Sequence, residues 1–376
     1  MINKNELFVS EDIMDVGDSV VAAFSHGSII CRYDKKDHSL RGAEAVQKEK
    51  AGKELLYMKS TMVGDNIYFA PFYADHICVY NYKKDEISYI DISEGINKKI
   101  EGEKYTHILK NNNTLYFLGY KQPSIIKLNT DNNELKYLKG WEKQLQQHNI
   151  DIDWGYFSQG AIVHNDKAIL PLGCTGSLLE LDLLTDNTRV MDVSFCDELN
   201  GIGGIAEDKD GIIWVSSRNE TNPKLIAWNK TTNAHKTYLF SDTLSKTGAY
   251  YAPIITDNGV LILPETMDHT YFYGFNNNQI QISAQFDEII NPYGKSMFFG
   301  ASVVAIRRID QMLYFFTTTD YAWNEYNLNT CTNIKNWLPL NDDCKNEYKN
   351  MMKNKFAEGE IIMEGNTTLS YFLGIL

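Results

Sequence analysis

Arg218, Glu265 and His269, in the second half of the chain, are residue types that hold and transform polar molecules. A guanidinium grips a carboxylate or phosphate through two parallel N–H bonds. A histidine gives or takes a proton near neutrality, and a neighbouring carboxylate orients it or takes the complementary role. His76 supplies a second imidazole, so His76, Glu265 and His269 are the candidate catalytic residues. No HxH or HExxH spacing links them, so no metal site is expected. The Ser, Cys and His residues form no nucleophile motif, and no cofactor is expected. Residues this far apart in sequence meet only if a fold repeats one loop and brings its copies together.

The chain does repeat. An apolar or aromatic residue followed at once by Asp or Asn closes a β-like run seven times, at Tyr33-Asp34, Tyr80-Asn81, Leu128-Asn129, Leu181-Asp182, Trp228-Asn229, Phe275-Asn276 and Tyr326-Asn327. The spacings are 47, 48, 53, 47, 47 and 51 residues. A second series upstream (Val20, Ile67, Leu115, Ala168, Ile212, Val260, Leu313) keeps nearly the same period. An Asx side chain accepts a hydrogen bond from the backbone two residues on, so it ends one strand and starts the turn to the next. Each unit resolves into four strands, in the second unit at about 55–63, 66–71, 76–81 and 87–92. Four strands in 44–53 residues define a β-propeller blade. The expected fold is therefore all-β: a seven-bladed β-propeller of four-stranded antiparallel blades over residues 1–340. A short C-terminal helical extension, 341–376, should pack on it. Helix is expected at 138–151, 342–359 and 366–376, with a strand at 360–363. The ring would be closed by N-terminal strands or by 360–363.

Propeller ligands commonly sit at one end of the central channel, a fold-level analogy that selects definite loops. The loops between second and third strands carry His26, Asp75, His76, Lys121, Arg218 and Glu220, then Glu265, Asp268, His269, Asp320 and Trp323. The lead-ins to the first strands add Tyr105, His107, Tyr156, Gln159, Tyr250 and Tyr251. Ligand contacts are expected from Arg218, Tyr105, His107, Tyr156, Tyr250, Asp268, Asp320 and Trp323. This mixture suits a small polar molecule, a glycan, a peptide or a protein partner. The plainer alternative makes the histidines ties between blades, Glu265 and Asp268 solvated turn acids, one of Tyr250 and Tyr251 a core residue, and Arg218 half of a salt bridge.

Bulk properties narrow the partners. Lys and Arg number 36 against 49 Asp and Glu, a formal charge of −13 that repels phosphate backbones, so nucleic acid is not an expected partner. No segment approaches 18 unbroken apolar residues and the N-terminus shows no signal-like apolar run, so neither membrane nor export is expected. Six Cys without CxxC spacing suit reduced, buried thiols in a cytoplasmic protein.

The unit "NIYFAPFYADHICVYNYKKDEI" (66–87) resembles a recurring unit of uncharacterised bacterial propellers, common in Firmicutes and grouped with the Kelch-like and YVTN-like superfamily. The resemblance covers roughly residues 15–340 and implies fold more than function. "DKDGIIWV" (208–215) is similar to the D-G-x-x-W segment of streptogramin-lyase and NHL-type propellers. Those families repeat it in most blades; here it is clear once, so no catalytic residue carries over. Lys209 stands where a sialidase Asp-box needs Asp. Two readings stay open: a binding module, and a lyase or hydrolase working through His and carboxylate at the channel mouth.

Overall fold

A computed structural model of the chain describes residues 7–25, 29–49, 55–100, 102–145, 150, 152–240, 248–290 and 301–357. It contains seven antiparallel sheets, each built on four consecutive strands that bond in chain order. These are the blades of a seven-bladed β-propeller. They span residues 14–45, 57–91, 105–139, 162–190, 201–239, 254–282 and 303–337. The strands of blade two, Tyr57–Val63, Asn66–Pro71, His76–Asn81 and Glu86–Asp91, fall within two residues of the sequence expectation. The described residues divide into two compact units. One draws on Met1–Phe117, Lys127–Leu135 and Val304–Leu376, the other on Leu118–Ile126 and Lys136–Val303. Each has its own apolar core, around Ile67, Phe69 and Cys78 in the first and around Ile213, Trp228 and Tyr271 in the second.

The Asx positions close their strands as their chemistry requires. Asn81 Oδ1 accepts the N–H groups of Lys83 and Lys84, and Asn229 Oδ1 those of Thr231 and Thr232. Asp34, Asp182 and Asn327 do the same, and Asn129 Oδ1 accepts the Asp131 N–H. Four residues on, each turn places a residue at positive φ: His38, Asp85, Asn133, Asp186, Asn233 and Cys331. Asn278 is the seventh, which corrects one anchor. Gly274, not Asn276, holds the register position in blade six: it pairs with Gly259 and accepts the Asn278 N–H. The count of seven units is unaffected.

In the first unit, an ionic cluster around the buried Asp12 ties the segment before blade one to blades two and seven. Asp12, ahead of blade one, accepts from Ser60 N–H (2.7 Å) and Ser60 Oγ (2.8 Å) in blade two and from Arg307 (2.6 Å) in blade seven. Lys59 adds its charge at 3.5 Å. The terminal blades supply all their own strands, and Leu7 and Phe8 bridge to Pro339 and Leu338 beyond blade seven. Helix α2 (Asp342–Ala357) starts at Asn341, whose Oδ1 caps the Cys344 N–H while its Nδ2 donates to the Leu40 carbonyl. The expected strand at 360–363 and helix at 366–376 lie outside the described residues.

In the second unit, glycine lets first strands touch. A Cβ on Gly203 would lie 2.1 Å from the Tyr250 carbonyl oxygen, and one on Gly204 2.5 Å from Ala252 Cα. A Cβ on Gly160 would lie 2.2 Å from the Ile205 carbonyl oxygen; beside it Gln159 pairs directly with Gly204, and Gly248–Ala249 pairs with the second strand of blade five, Ile212–Glu220. The segments bonded to the neighbouring blade shorten the first strands of blades four and six to Ile162–His164 and Ile254–Ile255. The helix expected at 138–151 is a 3-10 turn, Trp141–Leu145, where it is described; a helix the sequence reading did not expect, α1, spans Ala284–Ile290.

Candidate functional site

Arg218 is not on a loop. The second strand of blade five runs on to Glu220, and Arg218 pairs within it with Gly201 on one side and Ala249 on the other. Its side chain is buried, and one guanidinium nitrogen lies 2.7 and 3.0 Å from the two carboxylate oxygens of Glu265. Two of the three residues singled out first thus meet, as an ion pair between blades five and six. Beside them, Glu220 is buried and accepts the Asn200 N–H; burial pushes its carboxyl up, against the pull of that bond and of Lys224.

Four of the histidines share one arrangement. His269 Nδ1 lies 2.7 Å from Asp287 on α1, whose other oxygen accepts the Thr270 N–H. His76 Nδ1 lies 2.9 Å from Glu49, a buried carboxylate that also accepts the backbone N–H groups of Asp75 and His76. His164 pairs with Glu207, and His235 with Glu198. In every case the acid lies on another segment, so the pair fastens two pieces of backbone. Glu49, Asp287 and Glu198 were missed because nothing local in the sequence marks an acid 18 to 37 residues from its histidine.

Several expected ligand contacts are core residues. Tyr105, Tyr250 and Trp323 are 0–1% exposed. Tyr250 packs against Phe240 and Tyr271, and Trp323 lies within the strand Ala322–Asn327 against Tyr33 and Phe316. None of these three rings offers a face to a ligand, because stacked sheets are held apart by the largest side chains. Tyr251, the other member of its pair, donates to the Val303 carbonyl. His107 is half-buried on Thr106, and Tyr156 is half-buried with its hydroxyl pKa raised by burial and by Cys174. Asp320 accepts from Thr317 and pairs with Lys335; burial raises its pKa, but these bonds outweigh it and hold the carboxyl low. Lys121 donates to the carbonyls of Ile152 and Asp153, and the Gln159 side chain accepts from the Ala252 N–H. Asp75 pairs with Lys104, Asp268 is exposed, and His26 lies outside the described residues. These positions are shared between the two compact units, with Tyr105, His107, His76, Asp320 and Trp323 in the first and Tyr156, Arg218, Tyr250, Glu265 and His269 in the second.

An open groove lies elsewhere, between blades five and six on the side of their strand 1–2 and 3–4 turns. Its volume is about 580 Å³. Trp214 and Tyr273 are buried in its floor with ring centroids 4.9 Å apart, and Tyr238 and Phe275 are half-buried beside them. The "DKDGIIWV" segment builds one wall. Asp208 Oδ1 accepts the Asp210 and Ile212 N–H groups, and its Oδ2 accepts the Trp214 indole N–H at 2.7 Å. Gly211 supplies the positive φ of this turn. Among the described residues, no group of three His, Cys, Asp or Glu is placed to hold a metal ion, and no helix is long and apolar enough to cross a membrane.

No family profile and no curated protein matches the chain. Solved structures do, at low identity. The extracellular domain of a one-component system from B. thetaiotaomicron aligns with TM-score 0.55 and 12% identity, over 84% of this chain and 38% of that one. PorZ, a surface component of the type-IX secretion system of Porphyromonas gingivalis, aligns with TM-score 0.53 and 10% identity, over 89% and 38%. The chain thus spans well under half the length of both. The dihydro-heme d1 dehydrogenase NirN aligns with TM-score 0.54 and 10% identity, over 91% and 69%. Likeness at this identity speaks for the propeller fold alone.

Proposed function

We propose that the chain is a non-catalytic binding module that recognises a polar ligand. The observation that carries this reading is the repetition of the histidine–carboxylate pair at four separate places. A catalytic dyad is built once, where substrate sits; a pairing that recurs from blade to blade is a way of fastening backbone. Arg218, the strongest candidate for gripping an anion, already holds Glu265. The lyase or hydrolase reading would fall on His269, whose Asp287 partner orients the ring. That partner makes it one of four alike. Retention in a reducing compartment belongs to the same proposal.

The test is a ligand screen by thermal shift on the wild-type chain, followed by product analysis of every hit by mass spectrometry. The expected result is binding with the ligand recovered intact. In His269→Ala, the melting temperature should fall while the shift caused by the ligand persists. Conversion of a hit that is abolished in His269→Ala would overturn the proposal in favour of an enzyme.

A further inference from the structure

We infer that the groove between blades five and six is a binding site for a neutral oligosaccharide. The inference rests on the binding-module reading and moves its site away from Arg218, to the opposite ends of the same strands.

Size comes first. A volume of about 580 Å³ is within the range of small-molecule sites, roughly 300–1,000 Å³. The aromatic floor comes second. Trp214 and Tyr273 are 4% and 3% exposed, so they back the surface without forming it. Tyr238 and Phe275, one from each blade, are half-buried in the wall, with Lys236 Nζ over the Tyr238 ring. Tyr238 and Tyr273 bond through their hydroxyls at 3.0 Å, and Tyr273 donates onward to Asn278, which fixes the rings before any ligand arrives. A rigid aromatic surface suits the C–H face of a sugar ring at little entropic cost.

The rim decides between ligand classes. It carries the carboxylates of Asp210 and Asp257 and the ammonium groups of Lys209 and Lys236, with Asn229 and Asn276 between. Among the described residues, no hydrogen bond or ion pair engages the side chains of Asp210, Asp257 or Lys209. An anionic ligand would meet the carboxylates. A cationic ligand would meet the lysines, and Lys236 already lies over the Tyr238 ring, 4.7 Å from its centroid. A hydroxyl is donor and acceptor at once and is satisfied by both signs of rim group. A neutral, polyhydroxylated molecule with an apolar ring face is the ligand that fits floor and rim together.

The experiment is binding of the full chain to an array of neutral, acidic and amino-bearing glycans. Titration calorimetry follows with the best neutral tri- or tetrasaccharide and, as the cationic control, spermidine. The expected result is a neutral hit whose affinity falls at least tenfold in Phe275→Ala and several-fold in Asp257→Ala, with both variants still folded at the assay temperature by circular dichroism, although Phe275→Ala melts lower because its ring packs on Trp214 and Tyr273. Tyr238→Phe, which keeps the ring and removes the hydroxyl, should cost less than Tyr238→Ala. Binding of only acidic glycans or only spermidine, or no binding on the array, would overturn the inference. So would a neutral hit indifferent to Phe275→Ala and Tyr238→Ala, although the binding-module reading would then survive with its site elsewhere. Turnover of the hit would instead overturn the binding-module reading itself.

Discussion

Asp12 shows how one residue can hold several blades. Burial alone would push its carboxyl pKa up, yet Arg307, Lys59 and the Ser60 bonds outweigh burial and hold it below the ordinary aspartate value. A depressed folded-state pKa stabilises the fold fully above the unfolded value of about 3.9, and that stability is lost as pH falls through the folded value. Denaturant unfolding should therefore show stability falling as pH drops from 5 toward 3, and the fall should be shallower in Asp12→Asn. At pH 7 the same variant leaves the part-exposed Arg307 without its carboxylate and should be about 1.5 kcal/mol less stable. The Asx turns act on a smaller scale. Asn81→Ala and Asn229→Ala each remove an acceptor of two backbone N–H groups and should each cost about 1 kcal/mol in thermal unfolding. Cys331 carries a side chain at φ 56°, where its counterparts in five other blades are Asp or Asn. Cys331→Asn should raise stability by up to about 1 kcal/mol, because Asn tolerates the left-handed region better.

At the scale of elements, contact between first strands depends on missing side chains. Gly203 and Gly204 face backbone atoms of residues 250–252 at distances no Cβ can share. Gly204→Ala should push the segment before blade six off blade five and cost more than about 2 kcal/mol, within the range of overpacked cores. Gly211→Ala, where a Cβ meets only the far end of Glu207 but φ is +77°, should cost about 1 kcal/mol through backbone strain alone. Comparing the two by chemical denaturation separates close approach from conformation.

At the scale of the whole molecule, Cys31 and Cys344 connect blade one to α2. Their sulfurs lie 3.8 Å apart as a thiol–thiol hydrogen bond rather than a disulfide, and both thiols are buried, with Cys31 pushed up by burial and by its neighbour. Thiol counting on protein purified under non-reducing conditions should find them as thiols that react only after denaturation. A native disulfide there would instead place the chain in an oxidising compartment.

The sequence by itself determined the number of blades, their four-strand order and the side-chain caps of their turns. All of these rest on local physics repeated along the chain: strand alternation, a period set by chain length per blade and, in six of the seven blades, the Asx bond two residues on. Its one slip in register, Asn276 for Gly274, came where the strand end has no side chain to mark it. The expected ligand positions were legible only as loops. That Arg218 lies in a strand and grips Glu265, that each described histidine chosen for catalysis has an acid partner, and that Tyr105, Tyr250 and Trp323 are core residues were settled by packing between blades. The groove shows the same division. Trp214 and its Asp208 stand six residues apart in a visible motif, while the aromatic surface they support needs Tyr273 and Phe275 from the next blade. Contacts between blades join residues roughly one repeat apart, and no local pattern in a single sequence records which of two neighbouring side chains turns toward the other; only the tertiary structure decides it.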